Sequence, residues 1–308
     1  MTTFALAVHG GAGTILRSRM TPQKEAAHHA GLRRALEAGR RVLAAGGPAL
    51  EAVADAVAAL EDDPLFNAGR GAVFTADGRQ EMDAAIMDGA TRRAGAVAGV
   101  CGPRNPIRAA RAVMERTDHV LLIGEGALRV ARQAALPFEE ASYFFTQPRW
   151  DALQATLEMR ARGEESDDPA RRHGTVGAVA RDARGDLAAA TSTGGMTGKA
   201  PGRVGDTPMI GAGTFADNAS CAVSGTGHGE AFIRWTAAAE IAARMRLAGE
   251  SLEQAAERVV MRVLAPNDGS GGVVAVDRTG RVAMPFNCDG MYRGCVTDRS
   301  SPRTFIYR

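Results

Sequence analysis

The amino-acid sequence predicts a layered α/β protein in which sheets lie between helices. Three observations carry that prediction. The segments read in the order strand, helices, strands, helices, linker, strands, helices, strands. The strand-like runs are short, apolar and bounded by glycine, whereas the helical ones repeat apolar residues every three or four positions. The hydrophilic linker, at about residues 161–174, cuts one such pattern instead of joining two, so residues 1–308 are expected to form a single domain.

Taken in order, Phe4–Val8 reads as a buried first strand that ends in the glycine-rich turn His9–Gly13. Residues 22–45, rich in Ala, Leu, Arg and Glu, predict a helix, and a second opens at Pro48 with Leu50, Val53, Val57 and Leu60 on one face. GAVFTADG, EMDAAIMDG and AGAVAGV then predict a three-strand meander. Asn105-Pro106 starts another helix, with Asn as cap and Pro in the first turn, and helical pattern continues from Glu125 to Ala135. After the linker, VGAVARD and LAAATSTGG predict two strands around the turn at Ala183–Gly185. A glycine-rich loop follows at 194–214, then AVSGTGHGE leads into a long helix near Glu230–Leu247. Ser251 and Gln254 form a capping box for the next helix, and the chain closes with the hairpin VVAVDRTGRVAMPF and a short tail.

Bulk composition narrows the functional classes. With 45% hydrophobic and 23% charged residues, the chain has the balance of a soluble globular protein. Lys and Arg total 37 against 35 acids, and arginines alternate with acids, as in Arg108, Arg111, Glu115 and Arg116. Nucleic acid and membrane surfaces are therefore not expected partners. The opening run MTTFALAVHGGAG is too short for a signal peptide or a spanning helix. Cys101, Cys221, Cys288 and Cys295 form no CxxC pair, so reduced thiols and a cytoplasmic location are expected. Metal-ligand spacing is absent, because His28 and His29 are adjacent and would diverge on a helix. No cofactor is expected for catalysis.

The linker carries the functional argument. ARGEESDDPARRHG is dense in charge and holds no large apolar residue, so it cannot offset its own ordering entropy. It runs directly into an apolar strand through Gly174-Thr175. A threonine opening a strand is usually structural. Here it follows a segment suited to cutting, and a glycine that leaves its carbonyl open to attack. Thr191-Ser192-Thr193 supplies hydroxyl-bearing companions. Were the Gly174–Thr175 bond broken, Thr175 would carry an α-amine beside its own hydroxyl. Such an amine, of pKa ~7.7–8, can serve as the base for that nucleophile.

Six segments then carry a resemblance. HGGAG at 9–13, LFNAGRGAVFT at 65–75, MDGATRRAGAVAGV at 87–100, GTVGAVA at 174–180, TSTGGMTGKAPGRVGDTP at 191–208 and GTGHGE at 225–230 together resemble the plant-type asparaginase and isoaspartyl peptidase family. That family consists of N-terminal-nucleophile (Ntn) hydrolases, and the match runs in order along nearly the whole chain. The resemblance implies an α+β fold of the four-layer αββα sandwich type. It implies self-cleavage between Gly174 and Thr175 into an α subunit, 1–174, and a β subunit, 175–308, assembled as a dimer of αβ pairs. The implied substrates are L-asparagine and β-aspartyl dipeptides, hydrolysed through a β-aspartyl ester on Thr175.

The same resemblance distributes roles. Thr193 would hydrogen-bond and orient the nucleophile. Arg203 and Asp206 would hold the carboxylate and ammonium of the amino-acid head group, as a planar guanidinium and a carboxylate are suited to do. Read without the resemblance, these two are a surface ion pair of little energetic value. The Thr226 hydroxyl and Gly227 N–H would stabilise the oxyanion, with Gly229 near the head group; His228 is read as pocket wall. Asn67 would lie near the nucleophile. Backbone carbonyls of Leu60, Glu61, Asp63, Phe66, Ala68 and Arg70 would hold a structural sodium ion, a hard cation suited to oxygen donors.

Rival motifs fall short. His9-Gly10-Gly11 and Gly269-Ser270-Gly271 imitate hydrolase signatures, yet no GxSxG elbow exists. GMTGKA lacks the first glycine of a phosphate loop, with Thr193 in its place and Ala200 where Ser or Thr would bind magnesium. Gly211–Ala216 fits a dinucleotide fingerprint only loosely. Two alternatives stay open at this level: a glycosylasparaginase-like amidase, although Gly174 stands where those enzymes place Asp, and an uncleaved protein that binds amino acids through Arg203 and Asp206.

Overall fold

The computed structural model describes residues 3–164 and 174–308, so residues 165–173 of the expected linker lie outside the described residues. The first strand, β1, spans Ala5–Gly13. It runs straight through the glycines that the sequence marks as a turn, because a bulge between His9 and Gly11 absorbs them while pairing with a later strand continues. Helix α1 is Pro22–Ala44, capped by the Thr21 hydroxyl, and α2 is Ala49–Glu61 with Pro48 at its N-cap.

Two of the three expected meander strands form, β2 at Met82–Asp88 and β3 at Ala94–Val100. The other, GAVFTADG, is irregular backbone with a single bridge, Thr75 to Lys199. Helix α3, Pro106–Arg116, starts with Pro as expected, but the Asn105 side chain makes no cap bond and reaches Asp62 Oδ1 and the Ala58 carbonyl instead. A short strand β4, Leu121–Ile123, precedes α4, Gly124–Gln133. Helices α5, Ala141–Phe144, and α6, Gln147–Ala161, fill a region the sequence leaves unassigned.

After the linker come β5, Val176–Arg181, and β6, Leu187–Thr193, then β7, Thr214–Ala216, and β8, Cys221–Gly227. The long helix expected near Glu230–Leu247 is two helices, α7 at Gly229–Arg234 and α8 at Ala237–Ala248, broken where Thr236 takes left-handed backbone angles. Helix α9, Leu252–Arg258, carries the expected capping box, with both reciprocal bonds between Ser251 and Gln254. The closing hairpin is β9, Gly271–Asp277, with β10, Val282–Ala283. What reads as a tail is two further strands, β11 at Gly290–Thr297 and β12 at Ser300–Phe305.

These strands make two sheets. The larger has the order β12-β11-β1-β5-β6-β2-β3-β4, antiparallel except for β3 with β4; the smaller is β10-β9-β8-β7. Strands from both sides of the linker thus alternate in one sheet, with β1 paired to β5 and β6 to β2. Side chains alternate faces along each strand. Leu6, Val8, Val176, Ala178 and Ile86 enter a core shared with Leu36 of α1, Val53 of α2 and Val113 of α3. Ala5, Ala7, Val179 and Ala189 enter a second core with Val223 and Val274 of the smaller sheet and with Ile241 of α8 and Leu252 of α9. The layers are therefore helix, sheet, sheet, helix. Among the described residues no helix is long and apolar enough to cross a membrane.

Close approach fixes how α3 seats on the larger sheet. A Cβ on Gly95 would lie 2.1 Å from the Ala110 carbonyl oxygen and 2.6 Å from the Met114 nitrogen. Both obstacles are helix backbone, which cannot rotate away. Gly95→Ala should therefore destabilise the fold by about 1–3 kcal/mol through overpacking, read as a lower urea midpoint at unchanged slope. An unchanged midpoint would mean that the helix is seated less tightly than this.

Candidate active site

The site is assembled by strand alternation. Since Val176, Ala178 and Ala180 face the helix-side core, Thr175 and Gly177 face the smaller sheet. On β6, Ser192 turns toward α2, where its Oγ donates to Glu61 Oε1 at 2.6 Å, so Thr191 and Thr193 face the smaller sheet as well. The register of β5 with β6, Val176 opposite Ser192, then sets Thr175 beside Thr193. Thr175 Oγ1 donates to Thr193 Oγ1 at 3.1 Å. Thr193 Oγ1 also accepts the Gly195 N–H at 2.9 Å, and its own proton goes to the Gly174 carbonyl at 3.1 Å.

Asn67 completes this cluster. Its Nδ2 donates to the carbonyls of Gly174, at 2.6 Å, and Gly195, at 2.7 Å, while its Oδ1 accepts the Val73 N–H at 2.9 Å. Gly194 is needed here, because a Cβ would fall 2.6 Å from Asn67 Oδ1. Gly194 thus makes room for Asn67 and Gly195 for the Lys199 side chain, not for empty space beside the hydroxyl. On the other flank Gly11, at φ +110°, brings β1 so near that an added Cβ would sit 3.1 Å from Gly174 Cα.

Thr226 lies fully buried near the end of β8, and its Oγ1 accepts the Ala12 N–H at 3.3 Å. Gly227 ends that strand at φ +150°, against the Ser270 backbone. His228 follows it; its Nδ1 bonds the Asp268 carbonyl, and its Nε2 is 3.4 Å from Glu230 Oε2.

Arg203, Asp206 and Gly229 converge. A Cβ on Gly229 would be 2.8 Å from Asp206 Oδ1 and 3.0 Å from Arg203 Nη2. Arg203 is held by Glu230, whose Oε1 accepts from Nε at 3.0 Å and from Nη2 at 2.8 Å. The sequence reading pairs Arg203 with Asp206 and passes over Glu230, although its place at the start of α7 sets it where a carboxylate is favoured. Burial opposes the charge on Glu230, but Arg203 outweighs that and keeps its carboxyl below the usual range. Asp206 is different. Its Oδ2 is buried without a hydrogen-bond partner, and burial pushes its carboxyl up to about 7 in spite of its own backbone N–H and Arg203.

The loop after α2 contains the residues read as a sodium site. Leu60 and Glu61 close the helix, and Asp63, Phe66, Ala68 and Arg70 follow in the turn that carries Asn67. The carbonyls of Asp63, Phe66 and Ala68 each accept one backbone N–H, which leaves one lone pair apiece, whereas the Leu60 carbonyl accepts from both Asp62 and Asp63. Among the described residues no group of three or more His, Cys, Asp or Glu side chains could hold a metal.

Two stacked sheets thus carry a threonine pair where β5 begins and β6 ends, and sequence comparison gives the chain its family. The family profile described as asparaginase matches residues 2–306, and the chain belongs to that family. Among its relatives, the isoaspartyl peptidase of Salmonella typhimurium is 51% identical over all of both chains. The isoaspartyl peptidase of Escherichia coli is also 51% identical, over 98% of this chain and 96% of its own. The plant-type L-asparaginase of Pyrococcus furiosus is 44% identical over 93% of this chain and 94% of its own.

The buried carboxyl of Asp206 has a thermodynamic signature. Its pKa in the fold, about 7, exceeds the ordinary value of 3.8, so between those pH values the folded chain binds the proton and the unfolded chain has lost it. Stability contributed by this group is complete below the unfolded pKa and falls as pH rises toward 7. Asp206→Asn has no such loss. The stability of Asp206→Asn relative to wild type should therefore grow between pH 4 and pH 7, by an amount on the order of a few kcal/mol. Urea unfolding of both proteins across that range checks it; a flat or falling difference would refute the assignment.

Proposed function

We propose that this chain is a self-processing threonine hydrolase that releases L-aspartate from L-asparagine and from β-aspartyl dipeptides. The relatives' names carry both activities, as in the isoaspartyl peptidase/L-asparaginase of Danio rerio, 43% identical over 91% of this chain. The observation that carries the mechanism is the hydrogen-bond set at the Gly174–Thr175 junction. Thr175 Oγ1 donates toward Thr193, while Thr193 and Asn67 both donate to the Gly174 carbonyl oxygen.

That set favours scission. Thr175 Oγ attacks the Gly174 carbonyl carbon, and negative charge gathers on an oxygen that already accepts two hydrogen bonds. The C–N bond breaks as nitrogen takes the hydroxyl proton, leaving Gly174 esterified to Thr175. Water then hydrolyses the ester to a Gly174 carboxylate and a free Thr175 amine. In turnover this amine accepts the proton of its own hydroxyl, and Oγ attacks the side-chain carbonyl of the substrate. The Thr226 hydroxyl and Gly227 N–H serve the oxyanion. Each such donor is worth roughly 3–4 kcal/mol of barrier in comparable sites. Ammonia or an amino acid leaves with the proton, and water releases L-aspartate from the ester.

Arg203 and Asp206 would receive the head group. The unpartnered Asp206 Oδ2 suits a substrate ammonium, and Arg203, preset by Glu230, suits the α-carboxylate. Gly229 keeps the space between them open. In this reading the layered sandwich is of the Ntn-hydrolase type, residues 1–174 and 175–308 are the two subunits of a single domain, and two αβ pairs associate in the cytoplasm. The loop at 60–70 fits a structural sodium. Gly69 and Gly71 admit the chain where a Cβ would lie 2.5 Å from the Glu61 oxygen and 2.0 Å from the Phe66 oxygen. Carbonyls of Leu60, Glu61, Asp63, Phe66, Ala68 and Arg70 would hold the ion and steady the turn that bears Asn67.

The test is Thr175→Ala. Wild type should run as two chains on a denaturing gel, the smaller beginning at Thr175. The variant should run as one chain, with ammonia release from asparagine lower by roughly 10³-fold or more. An intact wild-type chain with full activity, or wild-type-like turnover by the variant, would overturn the proposal.

A further inference from the structure

A buried chain of hydroxyls ends on the nucleophile's own backbone and has no part in the mechanism above. His9 Nδ1 lies 2.9 Å from the Thr175 carbonyl oxygen, and His9 Nε2 lies 2.9 Å from Ser224 Oγ. Ser224 Oγ is 2.7 Å from Thr191 Oγ1, and Thr214 Oγ1 is 2.7 Å from Thr191 and 3.0 Å from the Thr207 carbonyl. His9, Ser224, Thr191 and Thr214 are fully buried. The chain therefore crosses from the larger sheet to the smaller and ends one residue beyond Asp206.

Its polarity follows from the atoms. A carbonyl can only accept, so Nδ1 carries the proton. Burial pushes the imidazole pKa down to about 3, against the bond to Thr175, so the ring is neutral and Nε2 accepts from Ser224. Ser224 Oγ in turn accepts from Thr191. From Thr191 inward every proton then points toward Thr175, while the single Thr214 proton serves either Thr191 or the Thr207 carbonyl.

The fold also clears space for this chain. His9 stands opposite Gly177 on one side and Thr191 stands opposite it on the other. A Cβ on Gly177 would fall 2.0 Å from Ser224 Oγ and 2.4 Å from His9 Nε2, so any other residue would break the link.

We propose that His9, fixed as its Nδ1–H tautomer by Ser224 and Thr191, is a positioning residue that anchors the Thr175 carbonyl and thereby aims its amine and hydroxyl. The need for such an anchor follows from topology. Pairing of β5 with β1 reaches only Gly177 and pairing with β6 only Val176, so Thr175 lies one residue beyond the ladder. Once cut, it would be a chain terminus, and termini fray unless tied down. The inference rests on Thr175 as the nucleophile.

The experiment measures kcat, KM and the pH profile of kcat for cleaved wild type, Ser224→Ala, His9→Ala and His9→Asn. Losing one buried hydrogen bond in the chain should lower kcat of Ser224→Ala about 10-fold, with KM changed less than about threefold. The limb of the profile set by the Thr175 amine should move. His9→Asn, which keeps a donor near the Nδ1 position, should retain more activity than His9→Ala. Failure of Ser224→Ala to self-cleave while melting as wild type would equally support the proposal. Wild-type kcat and profile in Ser224→Ala would overturn it, even with a lowered melting temperature, since the chain would then be scaffolding alone. Thr191→Val, nearly isosteric and one link further out, decides the matter if Ser224→Ala does not fold. Turnover by Thr175→Ala would sink the nucleophile reading itself; an inactive Thr175→Ala beside wild-type-like Ser224→Ala and His9→Asn would sink only this inference.

Discussion

Very small side chains between the two sheets, at the level of the threonine cluster, are the constraint on which the rest of this structure depends. Ala5 and Ala7 of β1 and Ala189 of β6 enter the inter-sheet core, and β5 contributes Gly177 on the same face. Facing sheets ordinarily stand ~10 Å apart with interdigitating side chains. With so little bulk at this level, a serine of the smaller sheet touches both a histidine and a threonine of the larger. A leucine in place of Ala7 would push the layers apart at the level where those groups meet. The gap closes around polar atoms at one end and apolar atoms elsewhere, and the polar end holds Thr175, Thr193 and Thr226.

Burying so many polar groups is tolerable only when their hydrogen bonds are made, since an unmade one costs about 1–3 kcal/mol. The threonine cluster meets that demand almost entirely from within. Thr193 Oγ1 accepts twice and donates once, and Asn67 uses both its amide nitrogen and its oxygen. A cluster so satisfied has little freedom to rearrange, which suits the attack proposed for the Thr175 hydroxyl.

Much of this was legible in the sequence, and the reasons differ residue by residue. The short apolar runs VGAVAR and LAAATST around one turn marked β5 and β6 as neighbours, and the register of that pair then sets Thr175 beside Thr193 on one face. The Ser251 capping box and the proline at the start of α3 are local chemistry and read directly. What depended on distant partners did not. The strands β11 and β12 look like a tail because their alternation is weak and β1, the strand that recruits them, lies nearly 290 residues earlier. GAVFTADG looks like a strand because it is apolar, yet its apolar residues line a turn around Asn67 and Thr75. His9 was passed over because the glycines after it suggested a turn. Extending the alternation of Ala5 and Ala7 by one step would have set it between the sheets. Glu230 was missed because its worth lies entirely in Arg203, 27 residues away in sequence and adjacent in space.

Among the described residues, three buried acids each carry an oxygen without a hydrogen-bond partner, Glu61, Asp83 and Asp206, as do the less buried Glu230 and Glu250. Their surroundings sort them. Glu61 accepts from Ser192 and from the Ile107 N–H through its other oxygen, so it joins α2, α3 and β6, and burial pushes its carboxyl up to about 8, which favours the uncharged acid. Asp83 has Lys199 4.0 Å away, itself nearly fully buried. Burial drives the Asp83 carboxyl up and the Lys199 amine down, and their mutual attraction opposes both shifts, so the charge is balanced inside the fold. Asp206 has neither remedy. Its neighbouring guanidinium is hydrogen-bonded to Glu230 and only partly offsets its burial, and among the described residues its Oδ2 has no hydrogen-bond partner. A fold that balances two buried carboxyls internally and leaves the third open, beside a glycine that keeps the space clear, is what the proposed capture of a substrate ammonium by Asp206 requires.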